Sequence, residues 1–290
     1  MPRTVEGKVV AITGGARGIG RATAEALIAK GARVALGDID EDAVRQTAAD
    51  LGHGTIGVAL DVTRSDSFAQ FLEAAEAELG PLDILINNAG IMPLGEFAEE
   101  SETIARRMVD INLHGVVIGS KLALRRFQTR GSGHLVNIAS TAGKYGAPGG
   151  ATYSATKHAV VGLSEAIRQE VAGTDIGVSI VMPLVVNTDL GSGLSDHGNL
   201  KVLQPEDVAR AIVDAIEHRR VDVYVPSWIG VILRVQHVMP RFLTDRVVKL
   251  LGADKVLTDR NADVRGAYES RVAAAAEGVT AEPEAATVDV

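Results

Sequence analysis

Tyr153 and Lys157 stand four residues apart in "YSATK", in a stretch whose Ala151, Ala155 and Ala159 favour a helix. Positions i and i+4 share one helix face, so the phenol and the ammonium are neighbours. A free tyrosine titrates near about pH 10 and is a poor base at neutral pH. A cation one turn away favours the phenolate, which suits the pair to exchanging a proton with a substrate oxygen. The chain has four tyrosines, and neither Tyr145, Tyr224 nor Tyr268 has a lysine at i+4. Ser140 closes the run "HLVNIAS" thirteen residues before Tyr153. A hydroxyl there can hydrogen-bond an oxygen that gains charge. Taken alone, these residues also read as a half-buried helical tyrosine, an exposed lysine and a strand-end serine, so their surroundings decide.

A second constellation is the glycine-rich run "TGGARGIG", Thr13 to Gly20, which leads from an apolar run directly into a helical pattern. Gly14 permits a tight turn, and Gly18 and Gly20 let backbone and helix approach a pyrophosphate and the sheet closely. Asp38 follows eighteen residues after Gly20, at the end of the next apolar run. A carboxylate there accepts hydrogen bonds from ribose hydroxyls and repels a 2′-phosphate, favouring NAD over NADP. Arg17 pulls the other way, because an arginine in the loop can reach such a phosphate. Gly52, Gly54 and Gly57 also match G-x-G-x-x-G, but they lie after a helix and before a strand. A phosphate cradle needs the reverse order, so this run reads as a helix stop and a turn.

The elements that must position these residues alternate along the chain. "KVVAIT" (8–13), "RVALGD" (33–38), 55–60, "DILIN" (83–87), "HLVNIA" (134–139), "IGVSIVM" (176–182) and "VDVYVP" (221–226) read as strands. Helical patterns fill 20–31, 40–51, 65–79, 101–128, 151–172 and 205–218 between them. Such alternation predicts an α/β fold, a Rossmann-type doubly wound parallel sheet of about seven strands with helices on both faces. Ligands then bind beyond the carboxyl ends of the strands, where the strand order reverses.

With "TGGARGIG", "NNAG" (87–90), Asn112, Ser140 and "YSATK" in this order, the chain resembles the short-chain dehydrogenases/reductases over roughly residues 5 to 226. The resemblance implies an NAD-dependent oxidoreductase moving hydride between nicotinamide and a secondary alcohol or ketone. It casts Tyr153 as acid/base, Lys157 as its tuner and a ribose ligand, Ser140 as stabiliser of the substrate oxygen, and Asn112 as support of a proton relay. It also implies a cofactor site made by Gly14, Arg17, Gly18, Ile19, Asp38, Asp61, Val62, Asn88, Ala89, Gly90, Tyr153, Lys157, Pro183, Val186 and Thr188. Asp61 and Val62 match the pair beside the adenine, and Thr188 the residue that reaches the carboxamide. A homodimer or homotetramer packed through the helices of 101–128 and 151–172 is implied, with no metal. One position departs: Leu184 follows Pro183 where the family has glycine, and its side chain is expected to narrow the space near the nicotinamide without abolishing activity.

The chain divides into a catalytic domain over 1–226, a helical C-terminal extension over 227–276 and a disordered acidic tail over 277–290. The extension holds the single tryptophan, Trp228, and a local excess of positive charge in a chain of net charge −8. Pro240 is expected to split it into two short helices. Three readings stay open for 227–257: a lid or dimer contact, an amphipathic segment on a membrane surface, or a guide for apolar substrates. The run 190–203 after Thr188 matches the family's substrate lid and carries no charge cluster that demands an acidic substrate. An apolar alcohol or ketone, steroid-, retinoid- or lipid-like, is the expected substrate.

At 290 residues and 46% hydrophobic, the chain can bury a large core. Its negative charge disfavours nucleic acid. The absence of cysteine excludes disulfides and cysteine nucleophiles. No run reaches ~18 uninterrupted apolar residues and no secretory signal is evident, so a cytoplasmic protein is expected. A rival to the enzyme is a dinucleotide-binding sensor or scaffold that does not turn over. Reduction of a ketoacyl thioester is a third reading, disfavoured by Asp38 because it usually calls for NADPH.

Overall fold

The computed structural model describes residues 3–196, 200–236, 239–240, 242–243, 246, 252 and 256–279. The strands are β1 (Val9–Thr13), β2 (Arg33–Asp38), β3 (Ile56–Ala59), β4 (Ile84–Asn87), β5 (Ser132–Ile138), β6 (Asp175–Pro183) and β7 (Asp222–Val225). The helices are α1 (Gly18–Ile28), α2 (Glu41–Leu51), α3 (Ser65–Leu79), α4 (Glu102–Val109), α5 (Gly115–Arg130), α6 (Ala151–Glu170), α7 (Pro205–His218), α8 (Ser227–Gln236) and α9 (Ala262–Val279).

Alternation of side chains along each strand builds two cores. In β1, Val10 and Ile12 face Leu27 of α1 and Ile212 of α7 on one side of the sheet. Val9 and Ala11 face Phe68 and Leu72 of α3 and Phe127 of α5 on the other. All five residues of β1 are buried, as a central parallel strand covered on both faces requires. The sheet is wholly parallel, ordered β3-β2-β1-β4-β5-β6-β7. The chain reverses its direction of travel between β1 and β4, so the crevice at the carboxyl ends of those strands is where a ligand belongs.

Two local features bear on the site. Gly52 ends α2 with φ +65°, and a Cβ on Gly57 would stand 2.4 Å from the Val44 carbonyl oxygen. That run is thus a helix stop and a close strand–helix contact. The single long helix expected over 101–128 is instead α4 and α5 joined by a π-helical turn, Asp110–His114. The extra residue in that turn carries Asn112, and such bulges commonly mark functional positions.

The extension packs back onto the sheet domain. Gly230 of α8 lies so close to the Tyr224 ring that a Cβ would come within 2.5 Å. Ile229 and Leu233 are buried, while Trp228, Val231 and Val235 remain exposed. α9 runs against α4. The second of the short helices expected around Pro240 falls largely outside the described residues. Of the expected tail, 277–279 finish α9 and 280–290 lie outside the described residues. Among the described residues no helix is long and apolar enough to cross a membrane.

Candidate active site

A cavity of about 520 Å³ opens along the carboxyl ends of the central strands. Of the residues that the family resemblance casts in catalysis or the cofactor site, all but Asn112 line it. Asn112 stands behind the wall, fully buried.

The loop between β1 and α1 forms one side. Gly14 takes φ +65°, and a Cβ on Gly20 would stand 2.1 Å from the Gly14 carbonyl oxygen. Only glycine lets the loop fold this tightly over the start of α1. Asn88 ties the loop to β4, its Nδ2 donating to the carbonyls of Thr13 (2.9 Å) and Gly14 (3.0 Å). Asp38 ends β2, where its carboxylate accepts the Ala16 amide (3.1 Å) and the Asp40 amide (3.2 Å). Arg17 lines the cavity and is ion-paired with Asp40 and, at 3.5 Å, with Asp189. Asp61 folds back on Thr63, accepting from its amide (2.9 Å) and hydroxyl (2.7 Å). This half of the cavity suits a dinucleotide: a glycine-rich turn at a helix N-terminus for the pyrophosphate, and a carboxylate at the end of β2 for the ribose.

The reactive half lies under α6. Tyr153, Lys157 and Ser140 are all buried. Burial pushes the Tyr153 phenol up to about 12, opposed by its hydrogen bond with Ser140. Burial also brings the Lys157 ammonium down to about 8. Lys157 Nζ donates to the Ile138 carbonyl oxygen at 2.9 Å and lies 5.7 Å from the Tyr153 ring centre. Ser140 Oγ accepts from the Ala142 amide at 3.1 Å and donates to the Pro183 carbonyl at 3.4 Å. Asn112 clamps the backbone of Ile91, accepting its amide and donating to its carbonyl, both at 2.8 Å, and reaches Thr156 Oγ1 at 3.3 Å. A Cβ on Gly90 would meet Asn112 Oδ1 at 3.1 Å and Lys157 Nζ at 3.8 Å, so Gly90 lies close to both.

Leu184 lines the cavity. Its φ is not in the left-handed region, and its amide donates to the Val225 carbonyl at 2.9 Å, extending the β6–β7 pairing. Leucine is thus accommodated where the backbone asks nothing special of glycine. Thr188 packs its methyl against Gly18.

Beyond Tyr153 the wall becomes apolar, with Met92, Leu190, Leu200, Trp228, Leu233 and Leu257. Tyr268, Arg271 and Val272 of α9 also line it. Reasoning from spacing passes over these three, because they belong to no motif.

The family description "short chain dehydrogenase" matches residues 8–198. The chain belongs to that family. This short-chain dehydrogenase is 37% identical over 217 residues to a cis-4-hydroxycyclohexanecarboxylate dehydrogenase of Sinomonas cyclohexanicum, covering 71% of this chain and 87% of the relative. It is 35% identical over 198 residues to a 3-oxoacyl-[acyl-carrier-protein] reductase of Salmonella typhimurium, covering 68% and 81% respectively. The crystal structure of a short-chain dehydrogenase/reductase from Burkholderia phymatum in complex with NAD shares its fold with a TM-score of 0.74 at 29% identity, covering 81% of this chain and 94% of that one. The protein is an oxidoreductase of the short-chain dehydrogenase family.

Proposed function

We propose that this short-chain dehydrogenase is an NAD-dependent alcohol dehydrogenase/carbonyl reductase acting on an apolar secondary alcohol or its ketone. One observation carries the reading. A single cavity runs from Asp38, past the glycine turn, to Tyr153 and on into an apolar chamber. The NAD-bound Burkholderia neighbour supports the cofactor, and the Sinomonas relative, named for a ring alcohol that also carries a carboxylate, supports a secondary alcohol but not its apolar character.

Bound NAD supplies the hydride acceptor, and NADH the donor, at nicotinamide C4. The chain's own residues handle the proton. In reduction the Tyr153 hydroxyl donates to the substrate oxygen, and in oxidation the phenolate takes that proton back. Ser140 lines the cavity with Tyr153, and its Oγ can hydrogen-bond the same oxygen and stabilise charge on it. The Lys157 ammonium favours the phenolate and offers donors to ribose hydroxyls. Asn112 holds the Ile91 backbone beside Lys157 and carries the proposed relay. The apolar chamber excludes water and takes the carbon skeleton of the substrate. Assembly as a homodimer or homotetramer through α4, α5 and α6 belongs to the same proposal.

The test is paired titration with NADH and NADPH, then turnover of cyclohexanone, 2-decalone and a 3-ketosteroid by wild type and Tyr153→Phe. Preferred NADH binding, with turnover lost in Tyr153→Phe, supports the reading. Tight NADH binding without turnover of any panel ketone points instead to a sensor or scaffold, and NADPH preference to thioester reduction.

A further inference from the structure

α9 brings a buried cation to the back of the cavity. Arg265 is 0% exposed. Its Nη1 donates to the carbonyls of Leu190 (3.2 Å) and Ser192 (3.0 Å), its Nη2 to the carbonyl of Met92, and its Nε to Glu269 Oε1 (2.8 Å). Met92 and Leu190 both line the cavity, yet they come from different loops, one after β4 and one after β6. Neighbouring groups repeat the tie. The Met92 amide donates to Tyr268 Oη at 2.8 Å, the Asn261 amide donates to the Gly193 carbonyl at 2.8 Å, and Leu194 pairs with Arg260.

The chemistry favours one rigid unit. These loop carbonyls lie outside the sheet ladder, and a buried acceptor without a donor is costly. A guanidinium presents five N–H groups in a planar fork, so one side chain serves both loops at once. A lysine ammonium in the same place lacks that fork. Glu269 balances the charge on the same helix.

We propose that Arg265 is a positioning residue for the substrate: by joining the Met92 and Leu190 walls it makes the C-terminal helix set the fit of the substrate. Arg265's hydrogen bonds go to Met92, Leu190, Ser192 and Glu269, and none of them reaches the β1–α1 loop or Asp38 at the dinucleotide end. The kinetic part of this inference rests on the oxidoreductase reading above.

The experiment uses full-length wild type, Arg265→Met and Arg265→Lys. Amide hydrogen exchange is followed over 90–94 and 189–194, NADH affinity by titration, and KM and kcat with the panel ketone that wild type turns over fastest. In Arg265→Met both segments are expected to exchange about tenfold faster together, and KM to rise about tenfold, while NADH affinity and kcat change less than about threefold. Arg265→Lys should recover part of each loss. If Arg265→Met does not fold, Arg265→Lys is read by the same measures, with smaller shifts in the same pattern. Exchange unchanged in both segments, or faster in only one, overturns the proposal. So does a loss of NADH affinity that parallels the rise in KM, which marks general loosening. A wild type that turns over no panel ketone counts against the oxidoreductase reading, and the exchange arm then still decides whether Arg265 joins the two walls.

Discussion

Lys157 Nζ lies 5.7 Å from the centre of the Tyr153 ring and donates to the Ile138 carbonyl at the end of β5. Helical spacing alone puts the two side chains on one face. The strand then anchors the ammonium, so its charge acts on the phenol from a fixed position rather than from a mobile side chain. Both groups are buried, which costs each its charged form.

The first prediction follows from those shifts. Lys157 titrates at about 8, so its ammonium is present below that pH and lost above it. Tyr153, at about 12, stays protonated through the same range. Ketone reduction needs the protonated phenol and the charged lysine, so its kcat/KM should be level near neutrality and fall above about pH 8. Lys157→Arg should push the fall to higher pH, because a guanidinium keeps its proton. Tyr153→Phe should lower kcat by roughly 10²–10⁴ with NADH affinity within about twofold. A break that stays in place in Lys157→Arg would assign it to another group.

Asp38 carries the second prediction. Its carboxylate both faces the cavity and holds the Ala16 amide. Asp38→Ser should weaken NADH by about tenfold, the scale of a lost charge-assisted hydrogen bond, and strengthen NADPH by removing repulsion. Asp40→Asn, added to it, should strengthen NADPH again by releasing Arg17. Titration of both nucleotides into the three proteins reads this directly, and unchanged selectivity in Asp38→Ser removes Asp38 from the ribose site.

Much of this site was legible because its signals are local. The apolar run of β1, the glycines that cross it and the carboxylate ending β2 obey short-range rules, and their order along the chain fixes which strand ends meet. The Tyr153–Lys157 spacing is likewise one helical turn. The π-turn that carries Asn112 was not legible, because one extra residue in a helix leaves no mark in composition. Nor was Tyr268, which meets Met92 across 176 residues, or Arg265, whose full burial contradicts the usual exposure of arginine. Those contacts are made by tertiary packing of the extension, which periodicity does not encode.

Leu184 gives the third prediction. It stands in the cavity wall without a strained backbone. Leu184→Gly should therefore leave NADH affinity within about twofold while the enlarged space favours bulkier ketones, shifting relative kcat/KM by about tenfold for a gap of one side chain. Steady-state comparison of cyclohexanone with a 3-ketosteroid checks it. A large gain in NADH affinity would show instead that leucine obstructs the cofactor.

The fourth prediction concerns stability and lies outside the cavity. His134 on β5 is buried, with Nε2 2.9 Å from Ser179 Oγ, and that hydroxyl donates to the Arg220 carbonyl at 2.5 Å. The Ser179 proton is thus committed, which makes Nε2 the donor. Burial, then the charges of Arg219 and Arg3, lower the His134 pKa from 6.5 to about 4. Above pH 6.5 the imidazole is neutral in both folded and unfolded chains and adds no slope. Between 6.5 and about 4 only the unfolded chain takes up the proton, so stability falls as pH falls, by at most about 1.4 kcal/mol per unit from this group. His134→Gln keeps a donor toward Ser179 and removes the titration. Urea unfolding at pH 5 and pH 7 should show a smaller loss of stability in the variant, by about 1–2 kcal/mol. An equal loss in both proteins would place the acid sensitivity in other groups.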